Sequence, residues 1–489
     1  VKVLFTTSEA YPLIKTGGLA DVSGSLPAAL RKLKADVRIL IPGYPQVLNN
    51  VKNLVPLTVL HFIPQVGTVT LMQGEMPDCD TPVYVIKHPP LYERDGGPYL
   101  DAAGQNWVDN PLRFGVLSHV AAVLSSGFSP LTWKPDVVHC NDWQSGLTPA
   151  ILNFFSTDHA KTVFSIHNLA YQGNFADIWV GLLGLPPQSF QPAGVEFYGD
   201  LSFLKAGIVY ADSIITVSPN YAREIQTPAY AYGMDGLLRA QSAKLHGILN
   251  GIDDQHWNPQ LDSHLTHPYD HAHLAGKSAN KKALQKQLSL DMDAEAPLLA
   301  VVSRMAHQKG LDIVLDAASA LLQDGAQLVI LGSGEPAMER DFTQFATDHP
   351  GRVGVVVGYN EALSHQIMAG ADIFLMPSRF EPCGLNQMYG LAYGTPPVVR
   401  RTGGLADSVS DTDVSTDKGV SALKKGISTG FVFDLATTND FLACVRRAMT
   451  LFRDKQAWHQ LQQNGMKQEL SWTHSAKQYM AVYRKLIKQ

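Results

Sequence analysis

Cysteine is scarce in this chain and never paired: Cys79, Cys140, Cys383 and Cys444 stand far apart, with no C-x-x-C among them. That excludes a disulfide framework and a cysteine zinc pattern, and it points to a reducing compartment. Long apolar runs are missing too. No stretch approaches the ~18 residues needed to span a bilayer, so no membrane partner is expected. Neither sign of charge dominates: 39 basic against 44 acidic residues, net -5, gives no bulk attraction for nucleic acid. A local phosphate site needs only a few cations and survives this exclusion. The chain does not begin with Met, which is compatible with a removed presequence. Its first residues, Val1-Lys2-Val3-Leu4-Phe5-Thr6, read as a strand and not as a signal peptide. The expectation is a cytoplasmic enzyme.

What the chain has in quantity is alternation. At 489 residues it exceeds one ordinary core. Apolar strand-like runs near 1–6, 36–41, 82–87, 136–140, 161–166, 213–217 and 246–249 alternate with amphipathic helical stretches, and residues 54–76 read as an inserted hairpin. The same alternation resumes at 297–303, 326–331, 352–357, 372–376, 396–400 and 429–433. This is the pattern of an α/β protein with two doubly wound parallel sheets. Between the halves, Gly251 to about Ser278 is rich in His, Asp and Pro and has no periodicity, which places domains at 1–251 and 252–471. Its five histidines, His256, His264, His267, His271 and His273, have spacings that fit no ordered ligand set, so a solvated loop and no metal are expected. Asp411–Gly426 reads as a polar surface loop. A last helix at 472–489 carries Trp472, Ala476, Tyr479, Met480, Tyr483 and Leu486 near a helical period. It either crosses back to the first domain or caps the second.

Two nearly identical heptapeptides, Lys15-Thr16-Gly17-Gly18-Leu19-Ala20-Asp21 and Arg401-Thr402-Gly403-Gly404-Leu405-Ala406-Asp407, each join a strand to a helix. Glycines let a backbone approach a ligand, and a helix start offers N–H groups to an anion. In the second half Arg304 and Lys309 follow the strand Leu298–Val302, at the edge where open α/β sheets bind ligands. Two cations there suit a diphosphate, Arg as a planar fork and Lys as a point charge, although solvated loop cations read equally well from these two alone. Gly332-Ser333-Gly334-Glu335-Pro336-Ala337 matches G-x-G-x-x-A but sits in the second βα unit and is better read as a tight turn. The segment Pro377–Leu385 is the strongest. Pro382 suits a helix start, which would leave the N–H groups of Cys383, Gly384 and Leu385 for an anion. Glu381 beside such a site is poorly explained by phosphate binding. It suits ligand hydroxyls, or a cation formed in a transition state. In the first half, Asp142 and His167 join Lys15 at one sheet edge. Diphosphate cations with a hydroxyl-binding carboxylate point to a nucleotide sugar bound across a cleft.

Through Lys15–Leu19, His167–Gly173, Asn250-Gly251, Ser303–Gly310, Arg379–Leu385 and Arg401–Leu405, the chain resembles bacterial glycogen synthases and plant starch synthases over nearly its whole length. The resemblance implies the GT-B fold, two Rossmann-like domains facing across a deep cleft. It implies retaining transfer of glucose from ADP-glucose to the non-reducing end of glycogen or another α-1,4-glucan, without a cofactor. Among candidate residues, it implies that Arg304 and Lys309 hold the diphosphate, that Lys15 and Gly18, with Asp21 nearby, bind donor phosphates, and that Glu381 contacts glucosyl hydroxyls. His167 would support the glucosyl group, Asp142 and Asn250 would surround it, Tyr359 would lie by the adenine and Tyr99 would line the acceptor path. Asn386 departs from the expected Thr. Domain closure would exclude water from the donor. The rival readings are the same fold using UDP-glucose, a phosphorylase with a pyridoxal cofactor, a non-catalytic glucan-binding protein and, from Gly332–Ala337 alone, a dehydrogenase.

Overall fold

The computed structural model describes residues 1–488. The chain forms two compact units, Val1–Asn250 with Trp472–Gln489, and Gly251–Ser471. The strands of the first are β1 (Lys2–Thr6), β2 (Asp36–Pro42), β3 (Lys52–Ile63), β4 (Gly67–Glu75), β5 (Pro82–Lys87), β6 (Val137–Asn141), β7 (Lys161–Ile166), β8 (Asn174–Ala176), β9 (Glu196–Phe197), β10 (Asp200–Ser202), β11 (Ser213–Thr216) and β12 (Leu245–Gly247). Those of the second are β13 (Leu298–Val302), β14 (Gln327–Gly332), β15 (Val353–Val357), β16 (Ile373–Met376), β17 (Pro397–Arg400) and β18 (Phe431–Phe433).

The main sheet of the first unit runs β12-β11-β7-β6-β1-β2-β5-β4-β3. β1 pairs in parallel with both β2 and β6, and the hairpin β3–β4 extends the sheet antiparallel beyond β5. Strand order therefore reverses between β1 and β6, and their carboxyl-end loops open a crevice. The second unit repeats the logic, with order β15-β14-β13-β16-β17-β18 and its reversal between β13 and β16. The central strands are buried on both faces: Val3, Leu4 and Phe5 of β1 and Leu298, Leu299 and Ala300 of β13 are fully inaccessible. Such strands read as continuous apolar runs, which is why the sequence revealed them.

The helix Trp472–Ile487 packs on the first unit. Trp472, Ala476, Tyr479, Met480, Tyr483 and Leu486 are all buried, in one core with Val22, Leu26, Ala29 and Leu30 of the helix Gly18–Lys32. Each large side chain removed from water there contributes roughly 1.5–3 kcal/mol. The helix is also keyed by polar contacts, Tyr483 Oη to His139 Nδ1 at 2.8 Å and Ser475 Oγ to the Leu249 carbonyl at 2.5 Å.

Two sequence expectations need correcting. Asp411–Gly426 is not simply a loop, because it contains the helix Asp417–Lys424, capped by Thr416 and anchored by buried Leu423 in the second core. The helix expected to start at Pro382 starts at Asn386. Gly384 holds the intervening turn with φ +69°, a left-handed conformation incompatible with a helical start. No helix among the described residues is long and apolar enough to cross a membrane.

Candidate active site

In the second unit, both loops at the strand reversal carry candidate residues. The loop after β13 holds Arg304 and, on a short 3-10 turn, Lys309; the loop after β16 holds Glu381. Lys309 Nζ donates to Glu381 Oε2 at 2.6 Å, and Ser378 Oγ donates to the same oxygen at 3.0 Å. The pair is largely buried, with side-chain exposures of 17% and 7%. A carboxylate this buried needs a cation and hydrogen bonds, and here it has both.

Arg379 is the adjacent cation, but it does not hold Glu381. It makes a bidentate pair with Asp312 at 2.7 and 2.6 Å and donates to the His307 carbonyl, tying the two loops together. Exposed Arg304 donates to Gln308 Oε1 at 3.2 Å, and Gln308 Nε2 donates to the Phe380 carbonyl at 3.2 Å. Gln308, Asp312 and Ser378 were missed by sequence reasoning, because uncharged or surface-type residues inside a motif carry no signal of their own. Asn386 donates through Nδ2 to the Val302 carbonyl at 2.7 Å, so it fixes the end of β13. Cys383 is buried and outside any disulfide, and its carbonyl and that of Gly384 accept from Gln387 Nε2. Tyr359 stands apart, highly exposed, with its hydroxyl donating to Glu361.

Gly332 and Gly334 belong to packing. A Cβ on either would fall about 2 Å from a backbone oxygen, at 1.8 Å from Ser303 O and 2.2 Å from Met305 O respectively. Their turn thus cradles the loop of Arg304, as a tight turn and not a pyrophosphate cradle.

In the first unit the loop after β1 is organised by a residue that sequence reasoning passed over. Buried Glu9 accepts the N–H groups of Thr16 at 2.5 Å and Gly17 at 3.2 Å through Oε2. The Tyr99 hydroxyl donates to Glu9 Oε1 and meets Ser8 Oγ at 2.8 Å, so Tyr99 braces this loop. Lys15 is partly exposed and pairs with Asp21 at 2.8 Å. Gly18 begins the helix Gly18–Lys32, where the N–H groups of the first turn have no acceptor within the helix.

Asp142, directly after β6, adopts φ +56°, rare for a residue with a side chain and costing about 1–3 kcal/mol. Its Oδ1 accepts the backbone N–H of His167 at 2.8 Å and of Asn168 at 3.4 Å. Burial pushes its carboxyl up to about 7, against the pull of those two bonds. His167 is held down to about 4 by burial, so it is neutral at neutral pH. Its Nε2 lies 3.0 Å from Asn141 Oδ1, an acceptor, which assigns the proton to Nε2 and the lone pair to Nδ1. Asn250 is buried, and its Oδ1 has no hydrogen-bond partner.

The two heptapeptides differ in what surrounds their glycines. A Cβ on Gly17 or Gly18 would meet nothing within 4 Å. On Gly403 it would lie 1.8 Å from Glu381 O, and on Gly404 2.2 Å from Cys383 O. The second copy is therefore a support pressed against the Glu381 loop, and its Arg401 pairs with Asp434 at 2.7 Å. Gly403→Ala, also strained by φ +42°, is expected to lower stability by about 3 kcal/mol or more. Gly18→Ala should stay within roughly 0.5 kcal/mol of the parent. Denaturant unfolding of both variants measures the difference.

Paired Rossmann-like units of this topology, with cations and a buried carboxylate at the strand reversal, define a glycosyltransferase of the GT-B class. The model of the starch synthase catalytic domain matches residues 2–240, and that of glycosyl transferases group 1 matches residues 296–449. Glycogen synthases from Nitrosospira multiformis and Nitrosomonas europaea are 50% and 49% identical, each aligned over 100% of this chain and 97% and 98% of theirs. The catalytic domain of starch synthase IV from Arabidopsis thaliana, solved bound to ADP and acarbose, superposes with a TM-score of 0.90 at 32% identity, covering 100% of this chain and 99% of that one. A sucrose-phosphate synthase from Thermosynechococcus elongatus, at TM-score 0.60 and 16% identity over 100% of this chain and 99% of that one, shares the fold. The chain belongs to the glycogen synthase and starch synthase family of glucosyltransferases.

Proposed function

We propose that this enzyme transfers glucose from ADP-glucose to the non-reducing end of an α-1,4-glucan such as glycogen, with retention at the anomeric carbon. The observation that carries the reading is the Lys309–Glu381 pair at the strand reversal of the second unit, a cation and a carboxylate within 2.6 Å. In the reaction the bond from C1 to the diphosphate breaks, the bond from C1 to the acceptor O4 forms, and the proton of the acceptor hydroxyl passes to the released diphosphate. Charge grows on the departing ADP and on the sugar at once, as in glycoside hydrolysis. Lys309 and Arg304 stabilise the first, because preorganised cations favour the charge that develops. A diphosphate competes with Glu381 for the Lys309 ammonium, which turns the carboxylate toward the glucosyl hydroxyls and the cation-like ring.

Lys15 and Gly18 serve the donor phosphates, with Asp21 nearby holding the Lys15 ammonium at 2.8 Å. Neutral His167 supports the glucosyl group as a hydrogen-bonding residue, not as a charge. Asp142 and Asn250 surround the sugar, and the unpartnered Asn250 Oδ1 is a ready acceptor for a hydroxyl. Tyr359 lies by the adenine. Tyr99 lines the acceptor path while bracing Glu9.

Wild-type protein given labelled ADP-glucose and glycogen should incorporate label that an exo-acting α-1,4-glucosidase then releases. Label that stays acid-soluble, or resists that enzyme, contradicts the reading. The heptapeptides supply a second test. Lys15→Ala should lower turnover roughly 10²-fold, as expected for loss of one preorganised charge stabiliser. Arg401→Ala, removing a surface pair with Asp434, should change it less than about threefold. Steady-state ADP release on both variants decides, and equal losses would give the second copy a catalytic part.

A further inference from the structure

Glu361 and His365, one turn apart on the helix Glu361–Gly370, meet His256 from about a hundred residues earlier in the chain, with one potential ligand atom from each within 4.8 Å of the others. His256 Nε2 is 3.4 Å, and His365 Nε2 3.6 Å, from Glu361 Oε1. Two ligands at about 2.1 Å on a tetrahedral ion stand roughly 3.4 Å apart, so both separations already match one edge of such a site.

His365 is set up to receive an ion. Its side chain is fully buried, and Nδ1 lies 2.7 Å from Asp262 Oδ2, which the Tyr393 hydroxyl also supports at 2.5 Å. A carboxylate acceptor at Nδ1 keeps the proton there and leaves the lone pair on Nε2. Nε2 has no hydrogen-bond partner and faces the Glu361 carboxylate beyond hydrogen-bonding distance. The ring cannot turn away, because Trp257 stacks on it at 3.8 Å and 10°, and Tyr389 stacks on Trp257 at 3.7 Å and 8°. A buried nitrogen facing a carboxylate calls for a positive charge between them, either a proton or a metal ion.

We propose that His256, Glu361 and His365 form a binding site for a divalent cation of the zinc class, with Asp262 orienting His365 from behind. Two imidazoles and one carboxylate favour zinc over magnesium or calcium, which take oxygen ligands. A carboxylate behind a ligating histidine fixes its tautomer and raises its basicity. The His256 side chain, 35% exposed, gives the ion a way in. Three protein ligands leave the fourth position to water. His256 follows closely on Gly251, where the second unit begins, so the ion would fasten this segment to the helix Glu361–Gly370.

The test uses full-length protein freed of metal by a chelator and titrated calorimetrically with zinc, using H256A, E361Q and, as a control for surface histidines, H271A. One zinc per wild-type and H271A chain is expected, with affinity at least tenfold weaker in H256A and E361Q. Zinc should raise the unfolding midpoint of the wild type and not that of H256A, because ligands of the folded state stabilise it. His256 is partly exposed, so H256A should fold, and its midpoint without zinc checks this. Wild-type binding no tighter than that of H256A would overturn the site. So would an equal loss in H271A, which would assign the zinc to surface histidines. In either case a proton on His365 Nε2 supplies the positive charge.

Discussion

Lys309→Ala should lower turnover by roughly 10²–10³-fold, the loss typical of deleting one preorganised charge stabiliser. The residue is rigidly placed. Gly310, directly after it, has φ +69°, and a Cβ there would lie 2.2 Å from the Pro377 carbonyl oxygen, so the Lys309 turn sits against the loop that carries Glu381. Removing the ammonium also leaves Glu381 buried with the Ser378 hydroxyl but without its cation. Breaking a buried pair on one side typically costs about 3–5 kcal/mol, so this variant should unfold more easily as well. The two effects are separable. Adding Glu381→Gln removes the uncompensated charge, so the double variant should recover stability without recovering turnover. Recovery of both would make the pair structural and remove Lys309 from the chemistry.

Glu381→Gln alone should be the more severe lesion for transfer, roughly 10³-fold or beyond, because it removes the charge that faces a cation-like sugar. It is nearly isosteric, and its amide oxygen can still accept from Lys309 and Ser378. ADP should therefore bind within about threefold of the parent, since binding and turnover part when a group acts chiefly in the transition state. Calorimetric titration with ADP beside steady-state turnover reads both quantities. Collapse of ADP affinity would show that Glu381 shapes the loop and does not act on the sugar.

Much of this was legible in the sequence because the relevant signals are local. Central strands such as β13 are apolar throughout, so their pattern alone places the loops after them, with Lys309 and Glu381, at a sheet edge. The six apolar positions of the last helix gave its buried face, although only packing on Val22, Leu26 and Leu30 decided which unit receives it. The heptapeptide repeat was visible, but its meaning was not. Identical glycines stand in open space at Gly17 and Gly18 and against the Glu381 and Cys383 carbonyl oxygens at Gly403 and Gly404.

What stayed hidden depends on partners distant in the chain. Glu9 reads as an ordinary acid until the fold gives it the Thr16 and Gly17 N–H groups and the Tyr99 hydroxyl. Asp312 takes Arg379, which clears Glu381 for Lys309. The five histidines after Gly251 read as one solvated loop. His267, His271 and His273 are exposed, whereas His256 and His264 pack against His365, about a hundred residues away. The start at Asn386 was missed because Pro382 fits a helix start equally well, and nothing local reveals the left-handed Gly384 that rules it out.

The most direct measurement is which nucleotide leaves when wild-type protein and glycogen are given ADP-glucose or UDP-glucose in parallel. Glycogen-dependent release of ADP, well above release of UDP, is predicted, and it should vanish in Glu381→Gln. Preferential release of UDP would contradict the assigned donor, and release of neither nucleotide would contradict glucosyl transfer by this site.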